Sequence, residues 1–136
     1  MSYRVLSHTA DTGIEATGIS FENVLEELAT GMFATVADVK PCRVEHDVVV
    51  SVTSPTREDL VVDLLSELLY RAEVDDVLFC AFQVTRLDGL EVEMSAGGVD
   101  AQSIELRGAP IKAVTYHDLD VAERSGAWFV RVYFDV

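Results

Sequence analysis

LFCAFQVTRLDGLEVEMSA, running from Leu78 to Ala96, decides the fold class. Two strand-like runs, Leu78–Leu87 and Leu90–Ala96, flank Asp88-Gly89, a strong two-residue hairpin signal. Downstream, Gly97-Gly98 is expected to open a loop. Strands are then expected near Ser103–Arg107 and at Ile111–Tyr116. Leu119–Glu123 and Trp128–Phe134 read as a last hairpin across Ser125-Gly126. Upstream, His46–Thr53 reads as a strand with Val48, Val49 and Val50 at its centre. Arg4–Ser7 and Ile14–Thr17 read as short strands around a polar corner, His8-Thr9-Ala10-Asp11-Thr12-Gly13.

Two segments carry helical spacing instead. Phe21, Val24, Leu25, Leu28, Met32 and Phe33 form one apolar face, ending near Val36, with Ser20 predicted as the N-cap. Leu60, Val61, Leu64, Leu65, Leu68 and Leu69 form another, running to about Ala72. Here Ser54 is the predicted cap, Pro55 the first helical residue, and Glu58 and Asp59 suit the positive helix end. Two helices among seven or eight strands predict an α+β fold, with both helices packed on one face of a mostly antiparallel sheet. The 136 residues contain no linker, low-complexity tract or repeat, so a single domain over 1–136 is expected.

Composition narrows the function. Hydrophobic residues at 49% and charged residues at 25% are ordinary for a folded domain and argue against disorder. Ten Lys and Arg against 24 Asp and Glu leave a net charge of −14. Such a chain is repelled by phosphate backbones and anionic lipid, which argues against stable nucleic-acid or membrane binding. Metal ions and basic protein partners remain. No uncharged apolar run approaches the roughly 18 residues of a spanning helix. The N-terminus lacks the apolar core of a signal peptide. Cys42 and Cys80 have no C-x-x-C spacing and are expected as reduced thiols packed as small hydrophobes, consistent with a cytoplasmic protein.

The common catalytic templates are missing: no phosphate-binding glycine loop, no nucleophile elbow, no H-E-x-x-H and no EF-hand loop. No catalytic residue is assigned. Four groups of residues still carry chemistry. The corner His8-Thr9-Ala10-Asp11 places an imidazole and a carboxylate in a short loop, and from spacing alone local turn bonding is the better account of it. Asp59, Asp63, Glu67 and Arg71 recur every four residues, where like charges weaken a helix. That column reads as a surface for a basic partner or as a solvated face with Glu67 paired to Arg71. Lys112, one of two lysines, lies in the apolar run Ile111–Tyr116. It suits anion contact, a buried pair, or a lysine protecting a strand edge. At the end of the last strand, Asp135 and Val136 offer hard oxygen donors of the kind that hold Ca²⁺ or Mg²⁺. Tyr70 and Trp128 are expected as core or core-edge aromatics.

These blocks together resemble the archease family, activators of the GTP-dependent RtcB-type RNA ligase of tRNA splicing and repair. The resemblance rests on His8-Thr9-Ala10-Asp11, on Leu60–Tyr70 with Asp63 and Glu67, on Ile111-Lys112-Ala113-Val114-Thr115-Tyr116-His117, and on Trp128 and Phe134-Asp135-Val136. It implies an α+β protein that promotes guanylylation of the ligase and its turnover without joining RNA itself. It implies metal ligands at Asp11, Asp135 and Val136, for a divalent cation such as Ca²⁺ or Mg²⁺. It also implies activation roles for Asp63 and Lys112. Ser7 departs from the acid the family usually carries there. A chaperone-like protein-binding module is an alternative, as is a small metal-dependent hydrolase built on His8, Asp11 and Asp135.

Overall fold

The computed structural model describes residues 1–7 and 11–136, so the corner His8-Thr9-Ala10 lies outside the described residues. The elements run β1 (Ser2–Ser7), β2 (Asp11–Gly18), α1 (Phe21–Ala34), β3 (His46–Thr53), α2 (Arg57–Asp75), β4 (Val77–Asp88), β5 (Glu91–Asp100), β6 (Ala113–Val114), β7 (Asp120–Arg124) and β8 (Ala127–Asp135). The strands divide into two antiparallel sheets rather than one. The first has the order β1-β2-β8, with β6 and β7 both pairing with the far edge of β8; the second has the order β3-β5-β4.

Strand alternation explains how both sheets share a core with the helices. Ile14 and Ala16 of β2 lie opposite Val132 and Val130 of β8, and all four are buried. Val92, Met94 and Ala96 of β5 bury one face of the second sheet. Val24, Leu28 and Met32 of α1 and Leu60, Leu64 and Leu68 of α2 join the same apolar cluster. Ser20 caps α1 as the sequence predicts, its hydroxyl accepting from the Asn23 N–H at 3.0 Å.

Four sequence expectations change, each for a local reason. Thr56, not Ser54, caps α2: its hydroxyl accepts from the Asp59 N–H at 3.0 Å, while Ser54 is buried and donates to Asp63. Gly97-Gly98 does not open a loop but continues β5, where Gly98 pairs with Phe79 and His46. A Cβ on Gly98 would stand 2.2 Å from the Leu78 carbonyl oxygen, so only glycine admits this approach. No strand forms at Ser103–Arg107. Ala101–Ser103 makes a 3₁₀ turn, and Arg107 bonds the end of α1 through its N–H to Val36 O and its guanidinium to Ala34 O. The strand predicted at Ile111–Tyr116 is regular only over Ala113–Val114. The turn Tyr116–Leu119, with Asp118 at φ 50°, bends the chain away.

The cysteines also differ from expectation. Cys42, in the exposed loop after α1, forms a disulfide with Cys80 of β4, with Cα atoms 5.8 Å apart. Glu45 binds that loop to the sheet, its N–H donating to Gly98 O at 2.9 Å. The two sulfurs are thereby brought within bonding reach although 38 residues separate them.

Candidate functional site

The geometry starts from β8, which lies inside the first sheet and so presents both backbone edges to neighbours. At its C-terminal end Asp135 pairs with Asp11 of β2 on one side and with Ala113 of β6 on the other. The Lys112 N–H donates to the Asp135 carbonyl at 2.7 Å. Asp11, Lys112, Asp135 and the adjoining Val136 thus come to one end of one sheet, although the sequence spreads them over 126 positions. Pairing across three strands fixes this placement, since each backbone partner is set by a continuous register.

The residue types at this sheet end are hard oxygen donors, and the backbone register sets two of them side by side. Two aspartates occupy directly paired positions, and Val136 follows the second. The Asp135 carboxylate is exposed and makes no ion pair with the described residues. Among the described residues no three His, Cys, Asp or Glu side chains cluster as a metal site. His8 lies outside the described residues. His117 is exposed beside Asp118, with Nε2 3.3 Å from Oδ2.

Asp63 belongs to a second set of contacts, on α2. It is half-buried and accepts a hydrogen bond from the Ser54 hydroxyl at 2.6 Å. One turn earlier, Asp59 accepts from the Tyr116 hydroxyl at 2.6 Å and from the Thr56 hydroxyl at 2.9 Å. These two bonds hold the Asp59 carboxyl below its ordinary range, that from Tyr116 counting most. The Tyr116 phenol is pushed up to about 12, first by its bond to Asp59, then by desolvation and by the charges of Asp59 and Asp63. Tyr116 follows β6, so its bond to Asp59 ties the segment carrying Lys112 to the helix carrying Asp63. Lys112 itself is exposed, which removes the buried-pair reading. Arg71 pairs with Asp75 at 3.5 Å rather than with Glu67.

Sequence reasoning missed Ser54 as the support of Asp63 and Tyr116 as the strut between α2 and the β6 segment. Ser54 signalled only a cap, because a side-chain bond nine residues away has no local signature. Trp128 sits at the core edge as expected, against Phe21 and under the Arg57 guanidinium at 4.9 Å. Tyr70 does not; it is 60% exposed.

Comparison with known proteins gives a consistent picture. The profile described as the Archease protein family (MTH1598/TM1083) matches residues 3–136. The chain is 38% identical to protein archease of Methanosarcina mazei, covering 98% of this chain and 95% of that one. It is 35% identical to protein archease of Methanosarcina barkeri, with the same coverage. The solution structure of Methanobacterium thermoautotrophicum protein 1598 superposes with a TM-score of 0.76 at 25% identity, covering 98% of each chain. A Thermotoga maritima crystal structure, described as an archease and possible chaperone, superposes with a TM-score of 0.66 at 21% identity. It covers 98% of this chain and 96% of its own. No helix among the described residues is long and apolar enough to cross a membrane.

Proposed function

We propose, on the premise that this chain belongs to the archease family, that it is an accessory protein of a GTP-dependent RtcB-type RNA ligase. In this reading it promotes guanylylation of the ligase and repeated turnover, and does not itself join RNA. The observation that carries the reading is the convergence of Asp11, Asp135 and Lys112 at one end of the sheet, fixed by the pairing of Asp135 with both flanking strands.

Asp11, Asp135 and Val136 would hold a Ca²⁺ or Mg²⁺ ion, whose positive charge would be offered to phosphate oxygens of a nucleotide on the partner. The chain's own groups do the rest. The exposed Lys112 ammonium adds a second cationic contact beside the corner. Ser54 holds the Asp63 carboxylate in one orientation. The Tyr116–Asp59 bond fixes the spacing between that carboxylate and the Lys112 segment. The net charge of −14 speeds encounter with a partner surface of basic character. A chaperone-like role, binding a partner protein, is the broader form of the same reading and matches the description carried by the Thermotoga maritima structure.

The test is to mix the protein with the ligase of the same organism and GTP and to follow covalent transfer of GMP to the ligase. Substoichiometric wild-type protein is expected to raise the rate. Lys112→Ala, at an exposed position, is expected to lose most of that stimulation while melting normally. Asp63→Ala is expected to lose it too, with a melting temperature a few degrees lower because the buried Ser54 hydroxyl loses its acceptor. Unchanged ligase rates over a wide range of added wild-type protein at low ionic strength would overturn the proposal.

A further inference from the structure

A cleft of ≈ 760 Å³ opens between α2 and the segment leading into β6. Its floor is apolar, with Phe33, Leu69, Ile111 and Val114 lining it. Its rim carries two large apolar side chains left in water, Tyr70 at 60% and Leu106 at 58% exposure. Val74, one helical turn beyond Tyr70, is also 60% exposed, so the apolar surface continues out of the cleft along α2. A contiguous patch of this kind marks a surface that another molecule covers.

The two walls have opposite charge. On the α2 side Glu73 lines the cleft, and Glu67 lies nearby on the same helix; neither is in an ion pair with the described residues. Across from them stand Arg107, bonded to a backbone carbonyl, and the exposed Lys112. A second copy of the chain is a poor occupant, because two molecules of charge −14 repel. A small molecule seated inside would leave Val74 in water. A length of polypeptide covers the cleft and Val74 together.

We propose that this cleft docks an extended segment of the partner protein, carrying an apolar anchor with basic residues on the α2 side and an acidic residue on the Lys112 side. The proposal rests on the accessory-protein reading above and deepens it. Lys112 belongs both to the cleft and to the sheet end where Asp135 lies, so an anchored segment would bring the partner beside that corner. The opposed walls set the direction in which the segment lies, since reversing it places like charges together.

The experiment measures direct binding of the ligase by biolayer interferometry, alongside a guanylylation titration, for wild type, Tyr70→Asp, Leu106→Asp and Glu73→Lys. Melting curves accompany each variant; the three positions are exposed, so the fold should persist. The two apolar variants are expected to raise Kd at least tenfold and to shift half-saturation in parallel, with the plateau of stimulation unchanged. Glu73→Lys is expected to weaken binding less and to flatten its salt dependence. Kd values within twofold of wild type for both apolar variants would overturn the docking site while leaving the accessory role standing. Binding that follows the expected ranking without any stimulation would support the docking site and overturn the activator role. Absence of both binding and stimulation by wild type would overturn both. A dimer of this chain that Leu106→Asp dissolves would assign the cleft to self-association and overturn the proposal.

Discussion

Removing the Cys42–Cys80 bridge is expected to cost stability through the unfolded chain more than through the folded one. The bridge closes a loop of 38 residues, which takes in β3 and α2. The loop-closure relation for a loop of that length gives about 4 kcal/mol at 25 °C. In the folded protein the Cys42 loop has other holds. Glu45 donates its N–H to Gly98 O and accepts at its carboxylate from the Asp100 N–H at 3.1 Å. Val44 packs where a side chain on Gly97 would stand. These contacts contribute about 1 kcal/mol each and survive reduction. The loop should therefore stay docked while the melting temperature falls by roughly 10–20 °C, taking about 3–5 °C per kcal/mol for a chain of this size. The assay is far-ultraviolet melting of the oxidised protein, the reduced protein and Cys42→Ala. Cys42 is the better position to vary because it is exposed, so its loss leaves no core cavity. Equal melting temperatures for the three samples, or two thiols alkylated without reductant, would refute the reasoning.

Three further outcomes are expected. Ca²⁺ or Mg²⁺ should raise the melting temperature of wild type and give a calorimetric binding signal, both lost in Asp11→Asn and Asp135→Asn; equal binding by all three would place the cation elsewhere. Tyr116→Phe should return the Asp59 carboxyl upward toward its ordinary value of 3.8, read by carboxylate NMR. In wild type the Asp59 contribution is present above pH 3.8 and fades as pH falls further, because the folded pKa is the lower one. The Tyr116 contribution runs the other way, present below about pH 10 and lost as pH rises toward 12. An Asp59 titration unchanged in Tyr116→Phe would remove the strut. Gly98→Ala should destabilise by about 1–3 kcal/mol or more, since its Cβ meets backbone that has no rotamer to escape into; an unchanged melting curve would contradict the register.

What was legible in the sequence followed from local periodicity. His46–Thr53 came out with its observed limits, and the Ser20 cap is where the pattern puts it. The hairpin turn falls one residue later than Asp88-Gly89, at Gly89-Leu90, because Asp88 still pairs with Glu91 at the end of β4. Both helices were readable because their apolar faces are regular, although α2 starts at Arg57 and runs on to Asp75. The division into two sheets was not readable. Alternation says which face of a strand is buried, not which strand lies beside it. The strands misjudged, Ser103–Arg107 and most of Ile111–Tyr116, owe their shape to side-chain and backbone bonds with α1 and β8. For the site, residue types singled out Asp11, Lys112 and Asp135 separately. Their convergence depends on β8 pairing with both β2 and β6, which is a long-range fact.

The position of β8 also shapes how the protein is made. β2 pairs with β1, its neighbour in sequence, but its other edge waits for β8, whose residues begin 109 positions after Gly18. At translation rates of about 5–20 residues per second, β2 keeps an open edge for roughly 5–25 seconds on the ribosome. Until β8 has left the exit tunnel, Ile14 and Ala16 lack their partners Val132 and Val130, and the nascent chain exposes an adhesive ribbon. Chains released early by a premature stop would carry that ribbon permanently, making them targets for quality-control proteases.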